Sequence, residues 1–425
     1  MCKNEYMSTP LDWFNFTAQN HNSNALIQYI VKVKKGIDFE LLTKAVNKCL
    51  DIDPLLGCTF TTGKGKPVWT AGKADISGIC KRYGPGDKQD CIQEFLSERI
   101  DASKEIPVKI ASIENGEHIM IVKLHHALCD AAGALEFVKL LSEVYSGLEK
   151  GKPIPKTRTP ERSTDAFFEY FGIKDKAAFD PSKLDMESTW GTPAGDSSSE
   201  QSFRLKTMKL SPGYLEKIKK YSAKNDTTLN ATLTAAYYST LVRILKPADK
   251  PREIQFTANL RRYSNEKEMN TLCNLSSILN AHLPACERFS DLSRNTCKAI
   301  KKALEPGNLI QSVLSCDLLE TVGYTASEKF YADDWTKVKD TGLCTPMISN
   351  VGLLDKEKIT FGHSEVTDML FVPPAFTGPS FMLAVSTFAD EISISSAYYS
   401  PSTGDGFVSS LLNGIREILD FEISG

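Results

Sequence analysis

No run of about 18 apolar residues occurs in this 425-residue sequence, so nothing in it reads as a membrane-crossing helix. The opening MCKNEYMSTPLDWFNF lacks the apolar core of a secretory signal, which disfavours export. Neither sign of charge is in excess. With 50 basic and 53 acidic residues the formal net charge is -3, and no long-range field favours a polyanion such as nucleic acid. Cysteine-pairing signals are missing too: the 11 cysteines are odd in number and include no Cys-x-x-Cys. That argues for reduced thiols and a cytoplasmic setting, against a disulfide frame or a zinc site. In such a setting the sequons at Asn15 and Asn230 are chance matches. Gly63 to Pro67 lack the spacing of a phosphate-cradling loop and read instead as a hairpin turn.

What is present is a chain with 41% hydrophobic residues, enough for more than one core. Single cores stop growing at roughly 250–300 residues, so two domains or two tightly joined subdomains are expected. ALIQYIVKV at 25–33 reads as a strand, followed by a helix with Asp38 as N-cap and Leu42, Ala45, Val46, Cys49 and Leu50 as its apolar stripe. Ile119–Leu124 reads as an apolar strand, and the helix after it shows the face Leu135, Val138, Leu141, Val144 and Tyr145. From Glu149 to Glu200 the composition turns to Lys, Pro, Ser, Thr and Asp around the patch AFFEYFG, as at a crossing between halves. The second half offers a strand (FRLKTMKL), a buried helix (TLNATLTAAYYSTLVRIL), a strand ending in Arg261-Arg262, late strands FMLAVSTFAD and EISISSAYY, and a closing helix with Phe407, Val408, Leu411, Leu412, Ile415 and Leu419 on one face. Strands and helices mix in each half, which implies an α/β chain with helix-covered sheets.

Chemistry concentrates where the strand ending at Leu124 meets its helix. Of only six histidines, two are adjacent there, His125 and His126, and Asp130 follows four residues later. If the pair continues the strand, its side chains point to opposite faces, one inward as a structural hydrogen-bonding group and the other toward a cleft. Asp130 falls where it can cap the helix or pair with a cation. A metal site is disfavoured because adjacent strand residues diverge and the other histidines, at 21, 118, 282 and 363, are scattered. Two core histidines without chemistry are the bland alternative.

HHALCDAAG resembles the His-His-x-x-x-Asp-Gly signature of condensation domains, wax ester synthases, alcohol acetyltransferases and chloramphenicol acetyltransferase. STPLDWF, NKCLDIDPLLGCTF, TLNATLTAAYYSTL, NLRRYS, SNVGLL and PPAFTGPSFMLAVSTFADEISISSAYY are similar to further family segments, in the family's order and over most of the chain. The resemblance implies two chloramphenicol-acetyltransferase-like lobes in a V, each a mixed sheet flanked by helices. They would span residues 1–160 and 201–425, joined by a linker at 161–200, with a tunnel between them. It further implies that His126 is a general base, that His125 supports it, and that Asp130 is structural and paired with Arg261.

Ser349 and Asn350 are then candidate oxyanion donors, Gly133 a substrate-side position, and Cys129 a small buried residue. The expected activity is transfer of an acyl group from acyl-CoA or a phosphopantetheine thioester to an alcohol or amine. An imidazole removes the nucleophile's proton as it attacks, and no permanently bound cofactor or metal is needed. An acyl or peptidyl carrier protein is a further expected partner. Two departures stand out: Ala131 replaces the usual glycine, and the Asp-Phe-Gly-Trp-Gly motif of the plant branch is absent. A methyl group at Ala131 could narrow the tunnel, and the alternative is an inactive module that docks a carrier protein. Hydrolysis with His126 activating water is a third reading.

Overall fold

The computed structural model describes residues 5–423 except 64, 73–74, 85, 158–161, 175–178, 186, 248–251, 266–270, 285 and 287. Lys64 of the expected hairpin turn and the expected boundary at 160–161 therefore lie outside the described residues.

Period-2 burial on both faces explains the first sheet. Along Leu26–Val33 the side chains of Ile27, Tyr29, Val31 and Val33 enter one core, while Ile30 enters another on the opposite face. Glu117–His125 divides the same way, Met120, Val122 and Leu124 against Ile119 and Ile121. The six strands run in the order Thr360–Phe361, Ser364–Val372, Leu26–Val33, Glu117–His125, Val108–Asn115, Cys80–Tyr83. Helices Phe39–Ile52 and Ala131–Lys150 cover one face and pack on each other. Asp38 caps the first of these, accepting from Leu41 N–H, and Leu42, Ala45, Val46 and Cys49 are buried. Leu50 is only partly buried and Ile52 completes the stripe. The second ends at Gly151, whose φ of 60° is the left-handed stop that glycine accepts without strain.

A second six-stranded sheet runs Ser276–Leu283, Arg252–Asn259, Met347–Leu354, Met382–Phe388, Glu391–Ser400, Ser202–Leu210. Met347–Leu354 pairs parallel with both of its neighbours, so this sheet is mixed. Helix Leu229–Leu245, apolar nearly all round, is sandwiched between Phe289–Ala303 and Asp405–Ile423. The expected α/β class with two helix-flanked mixed sheets is what the chain forms. One connection departs from a simple division into halves. Residues 360–372 lie within 201–425 yet extend the first sheet, with Ser364–Val372 antiparallel to Leu26–Val33, before the chain returns to the second sheet at Met382. The proline-rich crossing is also no loose tether: Arg162, Phe167, Phe168 and Trp190 are buried, and Trp190 Nε1–H donates to Glu253 O at 2.7 Å. Among the described residues no helix is long and apolar enough to cross a membrane.

Lys123 shares its strand face with His125 and is fully buried. Its ammonium donates to the carbonyls of Phe95 and Glu98, closing the end of helix Lys88–Ser97. Among the described residues it has no ion-pair partner, and burial lowers its pKa to about 7 from an ordinary 10.5. Between these values the folded state binds fewer protons than the unfolded one, so this group makes stability rise with pH across that window. Urea unfolding at pH 7 and pH 9.5 should show that increment in the wild type and lose it in Lys123→Met. The same increment in both proteins would contradict the assignment.

Candidate active site

His125 is the last residue of its strand and is fully buried, while His126, just beyond the strand end, is half-buried. The two rings have different jobs. Ala127 N–H donates to His125 Nδ1 at 3.1 Å, which leaves the proton on Nε2 to donate to Gln19 Oε1 at 3.0 Å. Burial, then the neighbouring His126 and Arg99 charges, lower its pKa to about 3, so it is a neutral strut. His126 Nδ1–H instead donates to Asn274 Oδ1 at 3.2 Å. Among the described residues His126 Nε2 has no hydrogen-bond partner, so its lone pair is free. Burial lowers the His126 pKa, although its own main chain, the Asp130 charge and Asn274 oppose this. The imidazole is neutral near pH 7.

Asp130 caps helix Ala131–Lys150 through Gly133 N–H at 2.8 Å. Both of its oxygens accept from Arg261, at 3.0 and 2.9 Å, and Leu275 N–H and the Ser276 hydroxyl add bonds of 2.8 and 2.9 Å. Burial alone would raise the Asp130 pKa, but the Arg261 charge and these donors outweigh it and the carboxyl is held below its ordinary range. Arg261 follows the strand Arg252–Asn259 of the second sheet, so the pair ties one half of the chain to the other. Its second nitrogen donates to the carbonyls of Thr271 and Cys273, fixing the approach to Asn274.

The sequence reading missed Asn274, Asp12 and Arg162. Asn274 Nδ2–H donates to Asp12 Oδ1 and to the carbonyls of His126 and Ala127, which aims its Oδ1 at the imidazole. Asp12, fully buried, also accepts from Trp69 Nε1–H and pairs with Arg162 at 2.8 Å. Arg162 in turn donates to the carbonyls of Leu128 and Leu272. Asp12 had a local signal, since Thr9 and Asp12 form a capping box at the start of helix Pro10–Ala18.

The remaining candidates are placed differently. Gly133 is buried, and a Cβ there would lie 2.8 Å from Cys129 Cβ and 3.0 Å from Cys273 O. It is a close-packing contact between the halves, where a side chain would force the Cys273 main chain away. Ser349 is buried in Met347–Leu354 with its hydroxyl 3.0 Å from that of Thr257. Asn350 donates to Asn230 Oδ1 and accepts from Gly352 N–H. Among the described residues neither bonds to His125, His126 or Asp130. Cys129 is fully buried, and burial pushes its thiol well above the ordinary range, the wrong direction for a nucleophile. Ala131 begins its helix with ordinary backbone angles, so its methyl introduces no backbone strain. Among the described residues no three His, Cys, Asp or Glu are grouped to hold a metal.

The sequence model of the condensation-domain family matches residues 3–250. Bacitracin synthase 3 of Bacillus licheniformis is 25% identical over 127 residues, 29% of this chain and only 2% of that synthase. Three solved structures share the fold at low identity. Polyketide synthase associated protein 5 from Mycobacterium tuberculosis superposes with a TM-score of 0.70 at 17% identity, over 98% of each chain. The first condensation domain of the CDA synthetase gives 0.72 at 13%, over 100% of this chain and 97% of its own. The trichothecene 15-O-acetyltransferase of Fusarium sporotrichioides gives 0.71 at 12%, over 99% and 95%.

Removing one member of a buried, fully bonded ion pair leaves its partner charged and unpaired, a loss of roughly 3–5 kcal/mol. Asp130→Ala should therefore lower the thermal unfolding midpoint by many degrees in a calorimetric scan. A soluble variant melting with the wild type would show that the pair does not hold the halves together.

Proposed function

Since this chain belongs to the condensation-domain family, we propose that it is an acyltransferase in which His126 acts as general base. The acyl group moves from a CoA or carrier-protein thioester to an alcohol or amine. The observation that carries this reading is the free Nε2 of a neutral His126, with Nδ1–H directed onto Asn274. Nε2 takes the proton of the hydroxyl or amine as that group attacks the thioester carbonyl. The tetrahedral intermediate then collapses with loss of the thiolate, which recovers the proton from the imidazolium. Asp130, close enough to raise the His126 pKa, stabilises that imidazolium. His125 and Arg261 act through position, with no covalent step on the enzyme. The thioester is a co-substrate, and no resident cofactor or metal takes part.

An inactive docking module would have no use for a base held in one tautomer. Mass spectrometry of products after incubation with mixed acyl-CoA donors and mixed alcohols and amines tests the proposal directly. The wild type should yield esters or amides. His126→Ala should lower turnover by at least about a hundredfold, the low end for a lost general base, with its melting temperature unchanged. A folded His126→Ala protein with near-full activity would sink the mechanism.

A further inference from the structure

A cavity of about 550 Å³ lies between the segment that closes helix Lys88–Ser97 and the start of the edge strand Ser202–Leu210, with Tyr399 on its wall. It is separate from His126, which does not line it. Part of its polar lining is already committed. Gln93 Nε2–H donates to Phe203 O, Gln201 Nε2–H to the carbonyls of Asp196 and Ser199, and the Ser97 hydroxyl to Glu94 O. The rest is not. Among the described residues Arg204, the Ser202 hydroxyl and the Tyr399 hydroxyl donate to nothing, and Arg99 uses only one nitrogen, on the carbonyls of Gln19 and Ser23.

No carboxylate lines the cavity, and neither arginine has an ion-pair partner among the described residues. Two guanidiniums facing one space without an anion repel each other. A group with two negative charges and several acceptor oxygens would relieve this and use the free hydroxyls as well. Arg99 is already oriented by Gln19 and Ser23, so little freedom is lost when it binds. The volume falls within the range of about 300–1,000 Å³ typical of small-molecule sites and exceeds what a bare phosphate fills.

We propose that this cavity binds a phosphate monoester, its phosphate on Arg99 and Arg204 and its organic body beside Tyr399 and Thr377. The proposal does not rest on the acyl-transfer reading, because binding is read without turnover. The monoester could be carried by a CoA-type donor or by a free phosphorylated metabolite, and competition separates the two.

Phenyl phosphate titrated into the full chain by calorimetry should bind saturably at one site, while benzyl alcohol should not bind. Arg204→Gln, an exposed change expected to leave the melting temperature unaltered, should weaken phenyl phosphate by at least about tenfold, the worth of one charge-assisted contact. Displacement by CoA but not by 3′-dephospho-CoA would assign the monoester to the thioester donor. Displacement by neither would assign it to a free metabolite. Absence of saturable binding up to about 10 mM phenyl phosphate, or equal affinity in wild type and a folded Arg204→Gln, would overturn the proposal.

Discussion

The ion pair between Asp130 and Arg261 is the contact on which the rest of the site depends. Asp130 ends the turn after the histidines, caps the helix that follows, and receives a guanidinium, a main-chain N–H and a hydroxyl from the second half of the chain. A buried carboxylate is tolerable only when its oxygens are satisfied, and here they are. The cost falls on the other partner, whose Nε is buried without an acceptor among the described residues. Close approach is the geometric condition, and it requires the missing side chain at Gly133, where the helix start meets the Cys273 main chain.

A second buried pair, Asp12 with Arg162, works beside the first. Asp12 comes from the opening helix and Arg162 from the crossing between the halves. Together they hold Asn274 from one side, while the Asp130–Arg261 pair holds the segment on either side of it. Asn274 is thus fixed through both ends of its amide and by its neighbours, and the imidazole takes its orientation from it. Fixed dipoles of this kind serve catalysis because they need not reorganise when charge appears on the histidine.

The strongly periodic parts were legible from sequence. The stripe of helix Phe39–Ile52, the helix after Asp130 and the closing helix follow their apolar spacing. The histidines at a strand end, and the contrast between their roles, follow from alternation and a turn. Asn274 and Arg162 were not legible, because each sits in a stretch without periodicity and matters through partners such as His126 and Asp12, more than a hundred residues away. Residues 360–372 read as part of the second half because local pattern does not say which sheet a strand will join. The region 289–341 holds three helices left unassigned from sequence, although the first, Phe289–Ala303, carries a clear stripe of Phe289, Leu292, Thr296, Cys297 and Ile300. Pro306–Val322 leaves apolar Leu318 and Val322 exposed, and Tyr324–Thr341 is polar on most of its surface, so neither has a clean stripe. Spacing alone also cannot say what a glycine packs against, and the contact of Gly133 with Cys129 and Cys273 is visible only in the fold.

The account turns on the claim that Asn274 keeps the proton on Nδ1 of His126 and leaves Nε2 free. Nitrogen NMR of protein labelled with ¹⁵N-histidine reads this directly, since protonated and lone-pair ring nitrogens resonate far apart and the tautomer is set by the partner of each. The wild type should show a neutral His126 protonated at Nδ1 at pH 7, and Asn274→Ala should shift the proton toward Nε2. A wild-type His126 protonated at Nε2, or a tautomer unchanged in a folded Asn274→Ala, would contradict the account.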